Sequence, residues 1–286
     1  MPTLDSRPPI VMLLDFDGTI VGDVQWLAFE HAFINSVAVA GKHVKYNPAY
    51  MSKELQGGVV RPYFADFIKH VRRYVPQVEF FVYTASTAEW AGYIIPRLEK
   101  VLGIQINRPL FTRDHCDFRA SEGRFVKSLN TVRPIIVKKL ARSYASVKAH
   151  GARGIQSITL IDNTPHVLLE AEHQLLCPTY EHENPIDVFR QLPPEIQVSA
   201  VVPTYMQMHP DIDWKTAMAA CKPKRFMACY YRHLAKLHYN AYKTNAKASS
   251  DRFWKRLCKV MITLDPNHMT AASMAKAFKE LATTSG

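Results

Sequence analysis

Residues 11–19, Val-Met-Leu-Leu-Asp-Phe-Asp-Gly-Thr, constrain the fold more than any other stretch. The unbroken apolar run reads as a strand buried on both faces, the kind found in parallel sheets. Gly18-Thr19 closes it with a turn signal, which leaves Asp15 and Asp17 at the carboxyl end of the strand. Open α/β sheets bind their ligands at that end.

Two later stretches repeat the pattern. Residues 78–83 (VEFFVY) and 155–161 (IQSITLI) read as buried strands that run into Thr84-Ala85-Ser86 and Asp162-Asn163-Thr164-Pro165. In a parallel sheet the three ends converge on one edge. Helical periodicity falls between them. Arg61-Pro62 opens a helix over 62–74 with Phe64, Phe67, Ile68 and Val71 on one face, and 87–102 ends at Gly103. Residues 109–127 read as loop and short strands, and 132–149 as a basic helix. The class is therefore α/β, a Rossmann-like three-layer parallel sheet.

Two segments stand apart. Residues 20–60 separate the first strand from the next regular element and are placed to form a cap or flap, with a helix over 24–40. After Pro193-Pro194 the chain turns rich in Met, Lys, His and Tyr, with helices near 213–221, 224–243, 250–262 and 270–282. The expected organisation is a sheet domain over 1–194 and a basic α-helical C-terminal region over 195–286.

Charge bears on the partner. With 36 Lys and Arg against 25 Asp and Glu, the net charge is +11, which favours phosphorylated proteins, nucleic acid or another polyanion such as an anionic membrane, without choosing among them. No run of 18 apolar residues suggests a membrane span. The first residues lack the charged-then-apolar order of a secretory signal, and the last carry no obvious address tag. Five cysteines at irregular spacing, with no C-x-x-C, favour free thiols in an intracellular, reducing compartment such as cytoplasm or nucleus. Cys221, Cys229 and His233 match no usual zinc spacing.

The strand-end residues suit phosphoryl transfer. A carboxylate at Asp15 can attack phosphorus and split one displacement into two easier steps. Asp17, two residues on, is free to protonate the leaving oxygen and later take a proton from water. Thr84 offers a hydroxyl to a phosphoryl oxygen, and Lys127 is the candidate to balance charge in the transition state. Asp15, the main-chain carbonyl of Asp17, and Asp162 supply oxygen ligands of the kind Mg²⁺ prefers.

Asp-x-Asp-Gly-Thr, a strand-terminal Thr, a Lys and an acidic pair, in that order, resemble the haloacid dehalogenase superfamily of phosphohydrolases. Val60-Arg61-Pro62-Tyr63-Phe64, Phe81-Val82-Tyr83-Thr84-Ala85-Ser86 followed by Ala88-Glu89-Trp90-Ala91, and Leu110-Phe111-Thr112-Arg113-Asp114-His115-Cys116 narrow the match. With Phe125-Val126-Lys127-Ser128-Leu129 and Leu160-Ile161-Asp162-Asn163-Thr164-Pro165, they are similar to the FCP/SCP-like branch, the NLI-interacting-factor domain of RNA polymerase II C-terminal-tail phosphatases. The likeness spans about residues 11–193.

That resemblance implies Asp15 as nucleophile, Asp17 as general acid and base, and Thr84 and Lys127 as phosphate binders. Gly18, Thr19, Ala85 and Arg113 are the other expected substrate-binding positions, with Arg113 equally suited to bracing the loop. The implied metal is Mg²⁺, on Asp15, Asp17 and Asp162, with Asn163 as a ligand through water. The implied substrate is a phosphoserine or phosphothreonine protein. Two alternatives stay open: the same chemistry on nucleic-acid termini or nucleotides, suggested by the basic, aromatic C-terminal region, and a non-catalytic binding module on the same fold. The intact set of catalytic side chains weighs against the last. The family's insertion after the first motif is a β-hairpin, whereas 24–40 has helical spacing here.

Overall fold

The computed structural model describes residues 6–22, 55–182 and 244–283. The helices expected over 24–40, 213–221 and 224–243, and the Cys221, Cys229 and His233 trio, lie outside the described residues. The chain divides into two compact units. One comprises Met1–Val21, Val60–Tyr180 and Asp251–Gly286, the other Gly22–Val59 and Glu181–Ser250.

The first unit is built on a four-stranded sheet. In chain order its elements are β1 (Ile10–Leu14), α1 (Phe64–Tyr74), β2 (Val78–Val82), α2 (Ala88–Leu102), β3 (Asp117–Arg119), β4 (Arg124–Val126), α3 (Leu129–Leu140), α4 (Ala145–His150), β5 (Ser157–Asp162), β6 (Gln174–Leu176), α5 (Phe253–Thr263) and α6 (Ala271–Thr283). The sheet order is β2-β1-β5-β6, parallel throughout, and β3 and β4 form a separate antiparallel hairpin. All five β1 residues are buried, as an apolar central strand requires. The chain runs from β1 to β2 on one side and later returns to β5 on the other, so a crevice opens at the carboxyl end of β1.

Both sheet faces are covered, which makes the three layers. On one face Val11, Leu13, Phe81 and Leu160 share a core with Leu129, Val132, Ile136 and Leu140 of α3. Phe80 points the other way and meets Phe67 of α1, with ring centroids 5.7 Å apart. The expected face of α1 is confirmed: Phe64, Phe67, Ile68 and Val71 are all buried. Trp254 of α5 is completely buried against Phe64 and Phe67, at 5.1 and 4.7 Å. Residues 251–286 thus belong to the same unit as the sheet.

Local chemistry sets the boundaries. Thr87 caps α2 by accepting from Trp90 N, and Gly103 closes it at φ 60°. The basic helix expected over 132–149 is two helices, broken by a turn at 141–143 and the extended Tyr144 before α4. Tyr144 is buried at that break and donates to Glu79 at 2.7 Å, a sheet contact that a continuous helix would carry elsewhere.

In the second unit, Gly22 N donates to Val59 O at 2.8 Å, and one five-residue turn spans Leu55–Val59. Gly58 has φ 108°, and a Cβ there would lie 2.6 Å from Nε2 of buried His182. No helix among the described residues is long and apolar enough to cross a membrane.

Candidate active site

Strand register places the site. Leu14 pairs with Val82 on one side and Ile161 on the other. One residue later, Asp15 N donates to Ile161 O at 2.9 Å and Tyr83 N donates to Leu14 O at 2.9 Å. The carboxyl ends of β1, β2 and β5 are therefore level, and they deliver Asp15, Thr84 and Asp162 to one edge.

Lys127 closes the group. Its Nζ donates to Asp15 Oδ1 at 2.7 Å and to Asp162 Oδ2 at 2.5 Å, and all three side chains are almost fully buried. The lysine backbone is fixed on both sides: Lys127 N donates to Val167 O at 2.7 Å, and Leu169 N donates to Lys127 O at 3.0 Å. Tyr83 adds a brace, its hydroxyl donating to His115 O and accepting from Ser128 N. Glu170 accepts from Ser128 Oγ and Leu129 N at the start of α3.

Asp17 sits apart from this triangle. Its Oδ2 accepts from Thr84 Oγ1 at 3.4 Å and from Ser86 Oγ at short range. Its Oδ1 is buried and has no hydrogen-bond partner among the described residues. Thr19 Oγ1 lies 3.1 Å from both Asp15 Oδ2 and Asn163 Oδ1 and accepts from Asn163 N at 3.2 Å. Gly18 is required here twice over: its φ is 73°, and a Cβ would lie 2.6 Å from Asn163 Nδ2.

The ionisation pattern follows from one ammonium facing three carboxylates, Asp15, Asp17 and Asp162. Burial pushes the Asp15 carboxyl up to about 7, with Lys127 opposing and Asp162 adding to the rise. Burial likewise raises Asp17 above the ordinary carboxyl range, against the hydrogen bond from Ser86. For Lys127, burial pulls down, but the Asp15 and Asp162 charges outweigh it and the net direction is up. The amine is locked in its charged form.

These residues fit a hard divalent cation. Asp15, Asp162 and Asn163 present side-chain oxygens, and the main-chain carbonyl of Asp17 accepts no backbone hydrogen bond among the described residues. When Asp15, Asp17 and Asp162 are all ionised, the carboxylates outnumber the single Lys127 ammonium, and such an ion would offset the difference. No trio of His, Cys, Asp or Glu side chains among the described residues is arranged to hold a metal unaided. A metal held here would also have to draw on a main-chain carbonyl and waters, a shell of the kind Mg²⁺ accepts.

Arg113 braces the loop after β2. Its Nε donates to Ala85 O at 2.8 Å, its N to Ser86 O, and its guanidinium lies 4.8 Å from the Phe125 ring centroid. Cys116 is a half-buried thiol raised by burial, with Sγ near Thr84 O and Thr112 O.

Sequence reasoning gave no role to Ser86, although the Thr84-Ala85-Ser86 turn contains it. It also missed fully buried Arg61. That guanidinium donates to Asp251 Oδ1 and Oδ2 at 3.1 and 2.9 Å, to Pro178 O at 2.9 Å and to Cys177 Sγ at 3.8 Å. Cys177 in turn lies 3.7 Å from Thr19 Oγ1, which reaches Asp15.

Comparison with known proteins adds two findings. A family model described as NLI interacting factor-like phosphatase matches residues 10–200, more than half of the chain. Among solved structures, one described as that of Fcp1, an essential RNA polymerase II CTD phosphatase, aligns at 16% identity with a TM-score of 0.35. The alignment covers 95% of this chain and 69% of that one. No curated protein matches.

Proposed function

The chain belongs to the NLI interacting factor-like phosphatase family, and we propose that it hydrolyses phosphoserine or phosphothreonine esters in proteins through a phosphorylated Asp15. The observation that carries this reading is the buried Lys127 ammonium held between Asp15 and Asp162, with Asp17 and Thr84 at the same sheet edge.

In the proposed reaction a carboxylate oxygen of Asp15 attacks phosphorus while the bond from phosphorus to the serine or threonine oxygen breaks. Asp17 gives its proton to that oxygen. In the second step Asp17 takes a proton from water, the water oxygen attacks phosphorus, and Asp15 departs as carboxylate with release of inorganic phosphate. Burial raises the affinity of Asp17 for a proton, which suits the first of these tasks. Thr84 and Lys127 donate to phosphoryl oxygens, and the charged lysine offsets the anion as it forms. Gly18, Thr19 and Ala85 border the phosphoryl site, and Arg113 holds the Ala85-Ser86 loop in place. When bound, Mg²⁺ supplies further neutralisation of phosphoryl charge. Asp15, the Asp17 carbonyl and Asp162 would hold it, with Asn163 acting through water.

Phosphate release from an aryl phosphate and from a phosphopeptide panel, with and without Mg²⁺, tests the proposal. Turnover of both, lost on Asp15→Asn, is expected. Failure on both substrates would overturn it. Faster turnover of 3′- or 5′-phosphorylated oligonucleotides than of phosphopeptides would keep the chemistry and move the substrate to nucleic acid.

A further inference from the structure

Helix α5 breaks a local rule along its outer face. Arg252, Lys255, Arg256 and Lys259 recur at three- and four-residue spacing, and all are exposed. Like charges at that spacing destabilise a helix by about 0.2–0.5 kcal/mol per pair. The first turn contains no acid, and cations there also oppose the helix dipole. Among the described residues, no carboxylate forms a salt bridge with Lys255, Arg256 or Lys259. The opposite face, with Phe253, Trp254, Leu257, Val260 and Met261 buried, accounts for the helix's place in the fold and leaves the cationic row unexplained. Departures from local consistency of this kind mark functional surfaces.

The row lines a cavity. Arg252, Lys255, Arg256 and Lys259, with Leu281 of α6, border a volume of about 250 Å³. That is below the ~300–1,000 Å³ of pockets for drug-sized ligands, and it suits a small anionic group. The end of the helix is not itself the receptor, because Asp251 Oδ1 already accepts from Phe253 N at 2.9 Å. Arg252 already donates to Asp251 O at 3.1 Å, so Lys255, Arg256 and Lys259 are the cations that the cavity offers to a ligand.

We infer that this pocket binds a second phosphoryl group of a multiply phosphorylated polypeptide, a reading that rests on the phosphoprotein substrate proposed above. A single-stranded nucleic acid fits less well. Such strands are held by stacking bases on aromatic faces, and none of the described residues lining the cavity is aromatic. The neighbouring Tyr63 ring is already covered by Arg252 and Lys255, at 5.1 and 5.4 Å.

Fluorescence anisotropy with labelled peptides decides the matter, using the full chain carrying Asp15→Asn so that no phosphate is removed. The doubly phosphorylated peptide should bind about tenfold tighter than the singly phosphorylated one, the ratio expected of one charge-assisted contact. Adding Lys255→Gln and Lys259→Gln should abolish that difference. In the otherwise wild-type chain the same two changes should leave aryl phosphate turnover unaltered. An undiminished difference in the double variant would overturn the inference. So would an equally charged oligonucleotide that binds tighter than the peptide and is released by the same changes. If the wild-type chain fails to turn over aryl phosphate, the proposed reaction falls, while the anisotropy result still decides the pocket.

Discussion

Removing the carboxylate of Asp251 is the sharpest test of how the first unit is held together. Arg61 has no exposed side-chain surface, and Asp251 keeps only 20% of its own. Two charge-assisted hydrogen bonds join them, and Asp251 Oδ1 also caps α5 at Phe253 N. Asp251→Ala leaves the guanidinium buried with Pro178 O and Cys177 Sγ as its hydrogen-bond acceptors and the Phe253 and Tyr180 rings beside it, and with no carboxylate to balance its charge. Breaking a buried pair from one side costs about 3–5 kcal/mol. The partial exposure of Asp251 lets water reach the vacated space, so the low end, ~3 kcal/mol, applies. Loss of the cap adds ~1 kcal/mol. At about 2–4 °C per kcal/mol for a chain of this size, the total of about 4 kcal/mol lowers Tm by about 8–16 °C. Calorimetry or circular dichroism melts read this directly. A Tm within about 2 °C of wild type would refute the pairing. A double-mutant cycle with Arg61→Leu isolates the direct term, and coupling below about 0.5 kcal/mol would refute it independently.

Lys127→Met should abolish phosphate release and lower stability by about 3–5 kcal/mol, because two buried carboxylates lose their shared cation; urea melts together with turnover assays check both effects. Gly18→Ala should cut turnover and lower the unfolding midpoint, since it forces a Cβ into Asn163 in a left-handed backbone conformation. Burial lowers the His182 pKa from 6.5 to about 4. Between those values the unfolded chain binds more protons at this site, so the stability His182 contributes should fall as pH drops from 6.5 towards 4, opposite in sign to the contribution of the raised Asp15 and Asp17 carboxyls; the difference between the urea midpoints of wild type and His182→Phe should show this slope. Burial pushes the Cys177 thiol up to about 11, so a thiol reagent at pH 8 should label Cys177 only on unfolding, as peptide mapping would reveal.

The strands and their tips were legible because their signals are local. Apolar runs ended by Asp15, Thr84 and Asp162 encode buried strands and their turns at once, and the parallel register then aligns those tips without further information. Helix α2 was legible from Thr87 to Gly103 because a capping hydroxyl and a left-handed glycine are local chemistry. Strand β6 was not, since three residues are too few to display alternation. The split between α3 and α4 escaped as well, because the Tyr144 hydroxyl answers to Glu79 on the sheet, a partner far away in sequence. At the site, Lys127 was found through its place in the motif order. The backbone clamp that aims it, from Val167 and Leu169, has no signature of its own. Arg61 was visible only as a helix opener, because its partner lies 190 positions away and nothing in either neighbourhood announces the other.

That separation has a consequence in time. A ribosome adding about 5–20 residues per second takes about 10–40 s to pass from Arg61 to Asp251. Throughout that interval Phe64 and Phe67 exist without Trp254 to cover them, and the Arg61 charge exists without its carboxylate. The sheet and its acidic edge can be translated long before the segment that seals them. A nascent chain stalled short of residue 251 would display an aromatic helix face and an uncompensated arginine. Nascent chains of this protein should therefore depend on holding factors most heavily late in synthesis, and release from them should coincide with the emergence of α5.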